Sequence, residues 1–228
     1  MAFGFLANLI FPRICVACRR RIGQGVVCAA CFRTVAVRNH LFCPKCRARL
    51  PAQGKICHPE FPYLLGAAGF YDDRVLKALV HYLKFRSIPD AAEPLAQLLY
   101  YYVSRMSLGL AGRAVVPVPL SRRRERSRGF NQAELIARRF AGLAGLPLET
   151  GWLARTRHTQ PQSETRNATE RLENIRGAFA VLRPDAVRGR KILLIDDVST
   201  SGATFLEASL ALRAAGAKRI IALAAAKA

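Results

Sequence analysis

The apolar residues of this chain fall into two rhythms that alternate along its length. Short continuous runs, most of them rich in branched residues, occur at 64–71, 114–119, 178–182, 192–195 and 219–224. Such runs read as strands buried on both faces. Between them the spacing becomes that of an amphipathic helix. Val75, Leu76, Leu79, Val80 and Leu83 form one stripe, capped by Asp72 or Asp73 and closing near Lys84, Phe85 and Arg86. Leu95, Leu98, Leu99 and Tyr102 line a second helix over 91–106, entered through Pro94. A third is predicted over 133–143, and Phe205, Leu206, Leu210 and Leu212 carry a fourth over 205–215 that Gly216 ends. This alternation predicts an α/β domain over 63–228, a parallel sheet with flanking helices.

The polar stretches divide the chain further. Residues 13–55 hold ten Lys and Arg and no acid, and Gly23, Gly25, Pro44, Pro51 and Gly54 interrupt them, so residues 1–60 read as a small module with little core of its own. Residues 59–62 look like a linker. Residues 156–176, with Arg157, His158, Gln160, Arg166, Arg171, Asn174 and Arg176, show no sustained apolar period and are expected to form a hood over a site. Residues 1–12 are apolar but have no basic leader and no cleavage site, and are too short for a membrane span. They read as a short helix packed on the body, and cytoplasmic residence is the expectation.

The chemistry concentrates in Ile-Leu-Leu-Ile-Asp-Asp-Val-Ser-Thr-Ser-Gly-Ala-Thr at 192–204, a strand, an acidic pair, a small-residue loop and a helix start. Ser199, Thr200, Ser201, Gly202, Ala203 and Thr204 allow backbone N–H groups and hydroxyls to close on an anion, with phosphate the natural occupant. Asp196 and Asp197 stand just before this cradle, where carboxylates can accept hydrogen bonds from two adjacent ribose hydroxyls. A 5-phosphoribosyl group fits both halves. The stretch lacks the Lys-[Ser/Thr] ending of a nucleotide-binding P-loop and any Gly-x-Gly-x-x-Gly, which disfavours a nucleoside triphosphatase or a dinucleotide fold. Adjacent carboxylates repel, and a ligand is the simplest reason to keep them together.

All seven cysteines precede residue 58. Cys15/Cys18, Cys28/Cys31 and Cys43/Cys46 are Cys-x-x-Cys knuckles, the spacing that offers paired thiolates to a tetrahedral zinc ion. Cys57 opens a fourth knuckle in which Glu60 stands where a second cysteine is expected. Either His58 completes a second site or only one zinc is held. Disulfides are the weaker reading, because a cytosolic chain keeps its thiols reduced.

Charge narrows the partners. With 36 Lys and Arg against 15 Asp and Glu, the formal charge is +21, which favours phosphate-rich ligands, nucleic acid or acidic membranes. The densest cluster, Arg122, Arg123, Arg124, Arg126 and Arg128, is expected in a strand-to-helix loop. In an open parallel sheet that loop shares the carboxyl edge with the acidic pair, so its arginines can hold a diphosphate or the phosphates of DNA.

The segment 192–204 resembles the PRPP-binding loop of type I phosphoribosyltransferases. Taken with the N-terminal knuckles, Leu-Lys-Phe-Arg (83–86), Val-Pro-Val-Pro-Leu (116–120), Arg-Gly-Phe-Asn-Gln (128–132) and the spacing Gln160, Arg171, Asn174, Gly177-Ala-Phe179, the whole chain is similar to the ComF family of competence-associated proteins. The resemblance implies a double zinc ribbon joined to a type I phosphoribosyltransferase-like domain. It implies Asp196 and Asp197 as catalytic and ligand-binding residues, Gln160, Arg171 and Asn174 as hood residues, structural Zn²⁺, and Mg²⁺ with PRPP. It further implies a role in the uptake of transforming DNA, with single-stranded DNA as partner and association with the membrane uptake machinery. A second class stays open, a nucleobase or amido phosphoribosyltransferase of nucleotide metabolism with no DNA role.

Overall fold

In the computed structural model the described residues are 12–51, 57–157 and 175–228. Residues 1–11 of the helix expected over 1–12 and the hood residues His158, Gln160, Arg171 and Asn174 lie outside them. A six-stranded sheet runs through the described chain in the order β2, β1, β3, β8, β7, β4. Strands β3 (Leu64–Phe70), β8 (Arg219–Lys227), β7 (Lys191–Ser199) and β4 (Arg113–Pro117) are parallel, while β1 (Leu41–Phe42) and β2 (Arg49–Leu50) add an antiparallel hairpin beside β3. A separate pair, β5 (Leu153–Arg155) and β6 (Phe179–Val181), is antiparallel.

The period-two alternation of the central strands divides the core between two layers. Val115, Leu193, Ile195, Ile221, Leu223 and Ala225 face one side, where they meet helices α2 (Arg74–Phe85), α3 (Ala92–Arg105) and α5 (Gln132–Ala144). Ala114, Val116, Ile192, Leu194, Ala222 and Ala224 face the other, against α7 (Ala203–Ala214), Trp152, Leu153, Phe179 and Val187 of the short helix α6 (Pro184–Val187). Burial on both faces is why these strands read as unbroken apolar runs.

Local chemistry sets the helix ends. Asp73 Oδ1 accepts from the amides of Val75 and Leu76 at 2.8 and 3.0 Å and starts α2. Asn131 caps α5 by accepting from the Ala133 amide at 3.1 Å, and its own Nδ2 donates to the Val118 carbonyl. Two expectations need correction. The arginine run is not a loop but a helix, α4 (Arg122–Arg128), because Arg and Glu are good helix formers and Gly129 closes it at φ 82°. The strand predicted at 192–195 continues through the acidic pair to Ser199, because its ladder with β8 continues to Ser199, opposite Lys227.

The cysteine-rich module, which includes α1 (Ala29–Arg33), is built into this body. Its hairpin β1–β2 extends the sheet. Tyr102 Oη, on α3, donates to the His40 carbonyl at 2.8 Å, the Arg38 amide donates to Ala68, and the Arg38 guanidinium lies 3.7 Å from the Phe70 ring centre. Arg19 donates to the Tyr82 hydroxyl at 2.6 Å. Gly66 makes room for Tyr102, since a Cβ there would meet Leu223 and Tyr102 at 2.6 and 2.8 Å.

The knuckles gather into two clusters, Cys15, Cys18, Cys28 and Cys31, and Cys43, Cys46, Cys57 and His58, with all ligand atoms of each within 4.8 Å of one another. Zinc bound tetrahedrally at about 2.3 Å from each sulfur sets sulfur separations of roughly 3.8 Å. Cys18 and Cys28 stand 3.8 Å apart, Cys46 and Cys57 3.5 Å, and Cys43 Sγ lies 3.3 Å from His58 Nδ1. Both clusters therefore fit structural Zn²⁺, and His58 takes the fourth corner that the sequence left open. Elemental analysis is expected to find two zinc ions per chain, and Cys57→Ser combined with His58→Ala is expected to lower that to one. A double variant that keeps both ions would show that the second cluster is not a site.

Candidate functional site

At the carboxyl ends of the parallel strands lies a cleft of about 560 Å³, lined by Lys84, Phe85, Arg124, Ser127, Arg128, Asn131, Arg155, Asp196, Asp197, Thr200 and Thr204 among others. Strand β7 delivers the two carboxylates. Asp197 is buried and forms an ion pair with Lys84 Nζ at 2.8 Å. Asp196 is half-buried and its Oδ1 accepts the Asp197 amide at 2.8 Å.

The charges are arranged unequally. Burial, and then the neighbouring Asp197 carboxylate, push Asp196 up to about 7, against the opposing pull of Lys84, the Asp197 amide and Arg155. Burial works against the Lys84 ammonium too, but Asp197 and Asp196 outweigh it and hold its pKa above the usual lysine value. Arg155 is lowered to about 10 by burial and by Arg124, with Asp196 acting in the other direction. One carboxylate is thus paired with Lys84, while the other sits poised near neutral pH for a cation or a hydrogen-bond donor.

After Ser199 the chain turns through 200–202 into α7. Gly202, at φ 82°, occupies the position before the helix, a left-handed conformation that glycine adopts without strain. The Tyr63 hydroxyl donates to the Gly202 carbonyl at 3.3 Å and fixes the turn from the β3 side. The helix N-terminus therefore points its amides at the small-residue loop, as a phosphate cradle requires.

The five arginines do not act as one group. Arg124 and Arg128, four residues apart on α4, line the cleft with Ser127, and Arg128 donates to Gln132 Oε1 at 2.9 Å. Arg122, Arg123 and Arg126 lie on the exposed face of the same helix and do not line the cleft. Sequence reasoning assigned no role to Lys84, Arg155 or Phe85. Lys84 carried one usable signal, its place in the Leu-Lys-Phe-Arg stretch (83–86), but its partner is far away in the sequence.

The poised carboxylate gives a stability test. The folded pKa of Asp196 lies above its unfolded value near 4, so the folded state holds the proton more tightly and stability falls as pH rises from about 4 to about 7. Asp196→Asn is expected to raise the melting temperature by several degrees at pH 8 and to leave it nearly unchanged at pH 4, measured by calorimetry. Equal shifts at both pH values would refute this placement of Asp196.

Residues 6–59 match the Double zinc ribbon domain and residues 126–228 the Phosphoribosyl transferase domain. DNA utilization protein YhgH of Salmonella typhimurium is 34% identical over 223 residues, covering 90% of this chain and 93% of its own length. The Escherichia coli K12 protein of the same name is 32% identical over 218 residues, with the same coverage. Competence protein F of Haemophilus influenzae is 28% identical over 218 residues, again covering 90% and 93%. This chain pairs two ribbon clusters with a mostly parallel α/β sheet that carries an acidic pair and small-residue loop at its carboxyl edge, its sequence similarity to these relatives runs along nearly their whole length, and it belongs to the ComF family.

Proposed function

We propose that this protein binds PRPP, or a closely related phosphoribosyl compound, in the cleft and single-stranded DNA on the outer face of α4 and the ribbon, and that it serves DNA uptake or utilisation. The observation that carries the first half is the acidic pair at the end of β7, between the small-residue turn into α7 and the cleft arginines of α4. Asp196 and Asp197 accept the ribose hydroxyls, residues 199–204 hold the 5′-phosphate, and Arg124 and Arg128 face the diphosphate with bidentate donors. The carboxylate and diphosphate oxygens form a donor set suited to Mg²⁺, which when bound neutralises the diphosphate. The names of the relatives, with their DNA utilisation and competence, support the second half. A chain of +21 charge also favours a polyanion.

The pKa of Asp196 near 7 favours one further reading, transfer of the phosphoribosyl group. In that step a nitrogen nucleophile forms a bond to C1 of the ribose while the C1–O bond to diphosphate breaks, and the bonding electrons leave with the diphosphate. Asp196 takes the proton lost by the nitrogen. Arg124 and Arg128 stabilise the charge that develops on the leaving group.

Two measurements test the proposal. In titration calorimetry, Asp196→Asn with Asp197→Asn is expected to weaken PRPP about ten- to a hundredfold, while magnesium diphosphate, which lacks the ribose, is affected less. Unchanged PRPP affinity would place the ligand elsewhere. For DNA, each phosphate contact contributes a log–log salt slope of about −0.7, so Arg122→Ala, Arg123→Ala and Arg126→Ala together are expected to flatten the slope for an oligonucleotide by about two units and leave PRPP affinity intact. If the slope is instead lost with Arg124→Ala and Arg128→Ala, DNA enters the cleft and the assignment of the outer face fails.

A further inference from the structure

A second, smaller cleft, which shares Thr200 with the first, lies between the Ser199 loop and the ribbon. Arg47, Cys43, Tyr63, Ser199, Gly202 and Lys227 are among its lining residues, and among the described residues no carboxylate lines it. Two cations converge here. Arg47 comes from the ribbon and Lys227 from the end of β8, directly opposite Ser199 in the ladder. Lys227 also sits 5.5 Å from the Phe42 ring centre. Burial, and after it the nearby Arg47 guanidinium, hold the Lys227 ammonium below the usual lysine value. Like charges brought together with no acid among the described residues to offset them favour an anion between them.

Two further observations point the same way. Ser199 is 3% exposed, and its Oγ is buried with no hydrogen-bond partner among the described residues, although it lines this cleft. Arg47 itself sits at φ 61°, a conformation that disfavours residues carrying a side chain. The turn that imposes it is the metal-binding knuckle: the Arg47 amide donates to the Cys43 carbonyl at 2.8 Å, and the Cys43 amide to Ala48 at 2.8 Å. The first knuckle has the same geometry, with Arg19 at φ 64° and its amide on Cys15. There the arginine has a protein partner, the Tyr82 hydroxyl. Among the described residues the Arg47 side chain has no hydrogen bond or ion pair, and it faces the cradle instead.

We infer that Arg47, carried on the second zinc knuckle, is a ligand-binding residue for the phosphate held by the Ser199–Gly202 turn, so that the ribbon completes the phosphoribosyl site. The inference rests on the phosphoribosyl reading above and deepens it. A phosphate seated at the N-terminus of α7 receives the Ser199 hydroxyl from the loop, a guanidinium from the ribbon side and an ammonium from β8. Tyr63 joins the two halves, lining the same cleft as Cys43 and donating to Gly202. The ribbon then has a role beyond scaffolding, since metal binding positions one wall of the pocket.

Ribose 5-phosphate is the probe, titrated calorimetrically into the full-length zinc-loaded protein. Arg47→Ala is expected to weaken it about tenfold and Arg47→Glu further, with zinc content and magnesium diphosphate affinity unchanged. Lys45→Glu makes the same charge change two residues away, on a side chain paired with Glu60 outside the cleft, and is expected to have little effect. If ribose 5-phosphate binds wild type, Arg47→Ala and Arg47→Glu alike, the inference is overturned while the phosphoribosyl reading stands. An equal loss in Lys45→Glu and Arg47→Glu would trace the effect to bulk charge and overturn it too. Wild-type protein that binds neither ribose 5-phosphate nor magnesium diphosphate overturns both the inference and the reading beneath it.

Discussion

Two neighbouring carboxylates at the end of a strand buried on both faces cannot both be ionised without a cation, and the contact between Lys84 and Asp197 meets that need. Much of the site's geometry follows from it. Helix α2 has to end where its last turn brings Lys84 over the carboxyl edge of β7, so the capping of α2 by Asp73 at the far end also sets the position of the ammonium. Because Lys84 pairs directly with Asp197, Asp196 is left incompletely compensated and near neutrality in its titration. The site is thus built with a deficit that a ligand can fill.

The surplus of positive charge is distributed by helical and strand geometry rather than spread evenly. Helix α4 presents Arg124 and Arg128 to the cleft and Arg122, Arg123 and Arg126 to solvent, so one short segment offers guanidinium groups to an enclosed cleft and to an open surface at once. Its single acid, Glu125, does little to offset the arginines. Such a helix is poorly stabilised by its own charges, and the left-handed stop at Gly129 and the cap of α5 at Asn131 hold it from one side. Anionic ligands on either face would relieve the repulsion among its side chains.

The ribbon solves a problem at the other edge of the sheet. Strand β3 would otherwise expose an open row of backbone groups, and the hairpin β1–β2 covers it, ending the sheet in a short strand whose turns are pinned by cysteine clusters. A module with so little core needs the metal to hold its shape, and the body needs the module to close its edge. Tyr102 and Arg38 lock that edge to α3 and β3, which keeps the ribbon in fixed register with the phosphate loop.

Much of this was legible in the order of residues. Continuous apolar runs marked strands β3, β4, β7 and β8, because strands covered on both faces have no polar side to show. Asp73 and Gly216 marked helix boundaries, and the cysteine spacing marked the metal sites, because caps and knuckles are interactions within a few residues. The acidic pair and the small-residue loop were visible for the same reason. What the sequence could not reveal were the meetings between distant segments: Lys84 with Asp197, Arg155 beside Arg124, the hairpin added to β3, and Arg47 across from Ser199 and Lys227. The split of the arginine run into two faces was also hidden, since it required knowing that the run is helical. These depend on strand order and on the rotation of each helix against the sheet, and both are decided by packing the whole core rather than by any local period.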